Sequence, residues 1–400
     1  MQAHSVAPRR GFLALVGALG ISTLADGLLF VVLPLWVFAQ TGSPTATSVT
    51  FIVQSLPRIF ASPVAGLVSD RRNRRTILIV SYLLRLLLFS GLFVALLMQA
   101  LLMVYVLLFL ESVAAVFARP AANALIAQLV PREQLVSANG TLNLVYSLAQ
   151  VLSPALGTLL IAAVQTPGVV VASVGLLLIA TLLLTLLSPA TPAAAPVGSA
   201  WLGLVEGWRA ATRNPVTLRV LASGTALWFG QGIVVAAAIP WLRSLSGVPE
   251  NAFGLLIAAS GAGMVAGGLI MSTVMKAVPP AKLYAASLAL GAAMLALSTT
   301  QMHPTGLLIL FGLFGVFTII PIATGQAMIQ QATPQEFLGR LFATSQLTGE
   351  AARTVGLLLA PLFILWFSSQ AALLIAAGAT LLGAVIFQTL FFKKMQPQGQ

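Results

Sequence analysis

The sequence predicts an all-α membrane protein with twelve transmembrane helices arranged as two pseudo-symmetric six-helix bundles. Three observations predict it: an apolar composition, basic loops that alternate in register with apolar runs, and an internal repeat. Of 400 residues, 59% are hydrophobic and 7% charged, with a mean hydropathy of +1.01. A soluble domain carries about 25% charged residues, so lipid must cover much of this surface.

Twelve apolar runs are each long enough for the ~20 residues a spanning helix needs. They lie at 11–39, 45–69, 76–98, 101–129, 133–165, 168–188, 215–242, 250–275, 281–301, 304–330, 337–367 and 370–392. Turn signals separate them, among them Thr41-Gly42-Ser43-Pro44, Thr166-Pro167-Gly168, Val278-Pro279-Pro280 and His303-Pro304. The first run follows Arg9 and Arg10; it is too long for a signal-peptide core and reads as a retained helix. One side of the membrane collects Arg9, Arg10, Arg71, Arg72, Arg74, Arg75, Arg132, Arg209, Arg213, Lys276, Lys282, Arg340, Lys393 and Lys394, against Arg243 on the other. The positive-inside rule then places both termini of this multi-pass membrane protein in the cytoplasm.

Between the sixth and seventh runs the chain changes character. Pro189 to Pro196 is a Pro/Ala linker, and Trp201, Leu204, Val205 and Trp208 then recur at i, i+3, i+4, i+7. This predicts an amphipathic helix on the membrane face. The expected organisation is a bundle over 1–188, a linker with its interfacial helix over 189–214, and a second bundle over 215–400. The halves repeat: ALIAQLVPREQL at 124–135 matches AMIQQATPQEFL at 327–338 in Ala, Ile, Gln, Pro, Glu and Leu. Parallel repeats of this kind place a substrate site between the halves.

Composition also excludes function classes. The net charge is +12, but the basic residues sit in short loops rather than on a solvated face, so a nucleic-acid partner is not expected. There is no cysteine, hence no disulfide or thiolate site. The two histidines, His4 and His303, lie near a terminus and in a loop, so no metal or other cofactor is expected. No phosphate-binding loop is present, and no enzymatic activity is expected.

The loop GLVSDRRNRRTIL, residues 66–78, resembles the signature loop of the major facilitator superfamily, Gly-x-x-x-Asp-Arg-x-Gly-Arg-Arg/Lys. Gly66, Asp70, Arg71, Arg74 and Arg75 match, and Asn73 replaces a glycine. Because Asn tolerates left-handed backbone better than most residues, that turn is expected to survive. The resemblance implies a cytoplasmic latch in which Asp70 pairs with Arg119 and Arg75 meets Glu133. In span five, Ser153-Pro154-Ala155-Leu156-Gly157 resembles a weakened form of the exporters' Gly-Pro-x-x-Gly-Gly motif. Pro154 bends the helix there and Gly157 admits a close neighbour; an ordinary kinked helix reads equally well. Leu24-Ala25-Asp26-Gly27, Arg85 and Phe117-Ala118-Arg119-Pro120-Ala121 resemble the macrolide-efflux and enterobactin-exporter branch of drug:proton antiporters. Thr348-Gly349-Glu350 resembles both that branch and lysophospholipid transporters.

Ionisable residues inside the bilayer cost about 2.5–3.5 kcal/mol at the helix centre and call for pairing, water or function. Counted at ~1.5 Å per residue from the basic loops, Arg58, Arg85, Glu111 and Glu350 fall in the middle of the membrane and Asp26 in its outer half. With Arg353, these are three acids against three arginines, a balance that suits mutual pairing. Arginine stays protonated, so only the carboxylates can titrate. Arg58 and Arg85 read as static partners, Asp26 and Glu350 as proton or substrate groups, with Glu111 open between the two. In span five, Asn139, Asn143, Tyr146, Gln150 and Ser153 form a polar stripe, matched by Gln346, Glu350 and Arg353 in span eleven. Trp228, Phe229, Trp241 and Phe317 are candidates for apolar walls. The expectation is a monomeric secondary transporter exporting amphipathic small molecules of drug or siderophore type by proton antiport, with the proton gradient as its driving force. Its expected partners are the substrate, protons and membrane lipids. The alternative is a lysophospholipid transporter of the same fold, and a sensor or scaffold would need a further soluble domain.

Overall fold

The computed structural model describes residues 6–61, 64–65, 68–69, 72–131, 134–187, 200–245, 252–300 and 303–392. Among these residues the chain is helical throughout. We label the helices α1 (Val6–Thr41), α2 (Pro44–Phe60), α3 (Arg74–Leu97), α4 (Leu101–Val116), α5 (Ala118–Leu129), α6 (Leu135–Thr185), α7 (Ala200–Arg213), α8 (Pro215–Ser244), α9 (Ala252–Ala277), α10 (Pro280–Ser298), α11 (Pro304–Ala332), α12 (Gln335–Trp366) and α13 (Ser369–Phe392). Among the described residues, ten stretches are long and apolar enough to cross a membrane by length and composition. One of them, Gly140–Thr185, holds two spans, and α2 begins another, so the twelve-span architecture in two bundles stands. From α8 onward the observed spans begin and end within about three residues of the expected ones, the usual fraying of a helix end.

Four of the expected spans differ in detail. The fourth, expected unbroken over 101–129, is divided at Phe117 into α4 and α5. Pro120 has no N–H for the Val116 carbonyl and its ring crowds that group, which breaks the i→i−4 ladder there. Spans five and six run together as α6, bent where Gln165 takes φ 57° and ψ 176°. The second span was expected over 45–69; α2 ends at Phe60, with 64–65 and 68–69 helical beyond it.

Local chemistry sets several boundaries. The α3–α4 turn is a Schellman closure: Gln99 N–H donates to Leu96 O at 3.1 Å and Ala100 N–H to Ala95 O at 2.9 Å, with Gln99 at φ 51°. Gly42, at φ 61°, does the same turning between α1 and α2 without a Cβ penalty. Asn73 is not left-handed as expected. It sits at φ −64° and ψ 116°, and its Oδ1 accepts from the N–H groups of Arg75 (3.0 Å) and Thr76 (3.3 Å), so it caps α3. The repeat seen in the sequence has a backbone counterpart. Val130 (φ −127°, ψ 147°) and Thr333 (φ −128°, ψ 133°) end α5 and α11 in the same extended conformation, each forced by the proline that follows.

The described helices group into two compact units, Met1–Thr41 with Val49–Ala200, and Gly42–Ser48 with Trp201–Gln400. In the first, α1 packs along α6, and α3 packs against α4 and α6. In the second, α8 packs on α12 and α13, α9 on α11, and α10 on α11 and α13. Hydrophobic force does not join helices in lipid, so close backbone approach matters. A Cβ on Gly263 would strike Gly312 O at 1.8 Å, and one on Gly315 would strike Ser260 O at 1.9 Å, which shows how closely α9 and α11 meet.

Candidate functional site

The first unit contains a buried charge cluster built by three helices. On α3 the buried residues Leu78, Ser81, Tyr82, Arg85, Leu88, Phe89 and Leu92 recur every three or four positions, so Arg85 occupies a core position of an otherwise ordinary packing stripe. On α4 the same spacing buries Val104, Leu108 and Glu111. Ser81 Oγ donates to Ala114 O at 2.7 Å and fixes α3 against α4 one turn from the pair.

Arg85 spends its guanidinium on three partners. Nε donates to Glu111 Oε1 at 2.8 Å, Nη1 to Ser22 Oγ at 2.8 Å, and Nη2 to Asp26 Oδ1. The Tyr82 and Phe89 rings flank it, with centroids 5.5 and 5.7 Å from the guanidinium carbon. The members differ in access: the Arg85 side chain is 2% exposed, Glu111 11% and Asp26 44%. Two carboxylates share the Arg85 guanidinium. Arg58, exposed on α2, adds a favourable field at both acids. Within the balance of three acids and three arginines that the sequence shows, Arg85 serves two acids, because its planar fork presents separate N–H edges to each.

Asp26 is held in place by the crossing of α1 and α6. A Cβ on Gly27 would fall 1.8 Å from Ser153 Oγ, and one on Gly157 would lie 3.4 Å from Leu28 O. The Ser153–Gly157 stretch with its internal Pro154 thus packs against the turn that carries Asp26. Sequence reading missed Ser22, Tyr82 and Phe89. Ser22 is four residues before Asp26 and shares its helix face, a signal that was available.

The second unit repeats this crossing with different chemistry. An offset of about 205 residues places Asp26-Gly27 on Gln231-Gly232, and the repeat offset places Ser153 on Gly356. A Cβ on Gly356 would lie 2.2 Å from Phe229 O and 3.3 Å from Gly232 Cα. The charge in this half sits on α12 instead. Glu350 Oε1 lies 3.6 Å from Arg353 Nη1 within the same helix, the two side chains 19% and 14% exposed. Gly349 rests against the Trp228 indole, and Thr225, Trp228, Ser345 and Thr348 line a cleft of about 30 Å³, room for one water. Trp241 is not a cavity wall. It is 1% exposed and stacks on Phe311 at 6.4 Å.

The other expected residues are placed in part. Gly66, Asp70, Arg71 and Glu133 lie outside the described residues, as do the side chains of Asn139 and Asn143. Arg119 is exposed, its guanidinium carbon 5.6 Å from the Tyr146 ring centroid. Arg75 Nη2 donates to Thr185 O at 3.0 Å, tying the start of α3 to the end of α6. Arg74 lies in the first turn of α3. Tyr146 is half-buried, Gln150 exposed and Ser153 buried, so the span-five stripe wraps from open surface into the α1 contact.

Comparison with known proteins agrees with this architecture. The family model of the Major Facilitator Superfamily matches residues 15–242 and 221–400. An uncharacterized MFS-type transporter, YfiS of Bacillus subtilis, is 28% identical over 97% of this chain and 94% of its own. Macrolide efflux protein A of Streptococcus pyogenes is 26% identical over 86% of each. Enterobactin exporter EntS of Citrobacter koseri is 28% identical over 83% of this chain and 80% of its own. Among solved structures, the nucleoside transporter NupG superposes with a TM-score of 0.79 at 13% identity, covering 95% of this chain and 98% of its own. A bacterial homologue of the iron transporter ferroportin gives 0.77 at 14%, covering 97% and 99%. At these identities the structural likeness concerns the fold alone.

Proposed function

The chain belongs to the major facilitator superfamily, and from that premise we propose that it exports amphipathic small molecules of drug or siderophore type in exchange for protons, by alternating access. The relatives named for macrolide efflux and enterobactin export support the direction and the substrate class. Such an exporter acts in the bacterial inner membrane with both termini cytoplasmic, as a monomer, without a resident cofactor, and contributes to antibiotic resistance.

The observation that carries the proton reading is the unequal access of the two carboxylates on Arg85. A change of charge inside the bilayer needs a group that can titrate, and arginine does not give up its proton. That group must therefore be a carboxylate. Asp26 is the open one. A proton on Asp26 removes one negative charge while Ser22 and Glu111 keep the guanidinium in place, so the charge of the site changes without rebuilding the core. A cationic or polar substrate group reaching the same oxygen competes with that proton. The pair on α12 is already neutral within one helix, which favours Asp26 over Glu350 as the exchanging group.

The test is efflux from proteoliposomes under an imposed pH gradient, with a macrolide and a lipophilic fluorescent cation as probes. Wild-type protein is expected to transport faster with the gradient, and Asp26→Asn to lose that acceleration while remaining folded. Full gradient-driven efflux by Asp26→Asn would remove the assignment.

A further inference from the structure

The interfacial helix α7 has two faces of opposite kind. Gly207 and Ala211 are buried and Ala210 partly so, and this small-residue face lies on α12: a Cβ on Gly207 would fall 2.6 Å from Arg340 O and 2.3 Å from Thr344 Oγ1. Beside it Glu206 Oε2 meets Arg340 Nη1 at 2.5 Å. The far end is held by Asn214, whose Nδ2 donates to Ala332 O at 2.8 Å while its Oδ1 caps α8. The helix is therefore mounted on the ends of α11 and α12.

The opposite face is open. Val205 and Trp208 are 47% and 48% exposed, and Arg209, Thr212 and Arg213 are exposed beside them. At 100° per residue these five fall on one side of the helix, with Trp208 along one edge, Thr212 and Val205 between, and Arg209 and Arg213 along the other edge. Asn214 leads directly into α8, a membrane span, so this face stands at the level where the bilayer begins. An indole beside guanidinium groups suits the headgroup layer, where an apolar body and a polar edge are both satisfied. No acidic residue lies on the open face, and the one acid of α7, Glu206, is engaged with Arg340.

We propose that this face of α7 is a docking surface for anionic phospholipid headgroups. Arg209 and Arg213 take the phosphates and Trp208 and Val205 enter the acyl boundary, while Gly207 and the Glu206–Arg340 bridge pass the docked position to the start of α12. Two cations at an anionic surface favour it over a neutral one by about thirty-fold.

The absence of cysteine permits a direct test. Thr212→Cys carries a single environment-sensitive dye on this face. The labelled full chain is reconstituted in phosphatidylcholine vesicles with and without phosphatidylglycerol, and dye quenching by neutral acrylamide is read. Quenching is expected to fall in the anionic vesicles, to recover in high salt, and to lose its lipid dependence in Arg209→Gln/Arg213→Gln but not in Arg209→Lys/Arg213→Lys. Equal quenching in both vesicles, or an unchanged lipid dependence in the glutamine variant, would overturn the proposal. The readout requires no transport, so it stands apart from the exporter reading.

Discussion

Arg85 Nε donates to Glu111 Oε1 at 2.8 Å, and both side chains are almost closed to solvent. The pair joins α3 to α4 across 26 positions of sequence. Its burial means that breaking it leaves a bare charge in a low-dielectric core. Truncating one partner of such a pair costs about 3–5 kcal/mol.

Arg85→Ala is thus expected to lower thermal stability in detergent steeply, since two carboxylates lose their cation together. Arg85→Lys is expected to recover only part of the loss, because an ammonium lacks the planar fork that meets Glu111, Ser22 and Asp26 along separate edges. Thermal unfolding of the purified variants separates the two.

Glu111→Gln and Asp26→Asn are expected to diverge. The first alters a closed pair and should reduce stability; the second alters a side chain that is 44% exposed and should be milder. If the two variants unfold at the same temperature and show the same pH profile of efflux, the division of roles between them is wrong.

Glu350→Gln leaves the positive charge of Arg353 without its helical neighbour at 3.6 Å. Stability should drop while the pH dependence of efflux survives. Abolished pH dependence in this variant would move the proton site from α1 to α12.

Gly27→Ala places a methyl group where Ser153 Oγ now sits. Overpacking of this kind costs about 1–3 kcal/mol. Adding Ser153→Gly, which copies the glycine found at the equivalent Gly356, should restore much of the loss. A double-mutant cycle on unfolding midpoints measures the coupling, and additive losses would count against the contact.

Asn73→Ala should cost about 1 kcal/mol, the worth of a helix cap, whereas Asn73→Gly should cost only a few tenths. Amide exchange at Arg75 and Thr76 reports the same loss locally.

Much of this was legible beforehand because it is local or periodic. Runs of ~20 apolar residues become spans, and prolines at equivalent positions end α5 and α11 in the same geometry. The cap at Asn73 was misjudged because replacing glycine suggested a left-handed turn, when a short amide serves equally as a side-chain acceptor. The break at Phe117 was missed although Pro120 announces it. Arg85 reads from the sequence as a static pairing partner, but that it joins both Asp26 and Glu111 was not legible, since sequence does not say how many helices a side chain faces.

The sequence by itself determined the number of spans and the duplication, because hydropathy and sequence repeat act along the chain. The tertiary structure alone decided which charges meet. Asp26 and Arg85 are 59 residues apart, and their meeting depends on the register with which helices pack. In the first unit that register is set where Gly27 lets α1 close on Ser153 of α6. Such contacts are made between backbones far apart in the chain, and no local pattern encodes them.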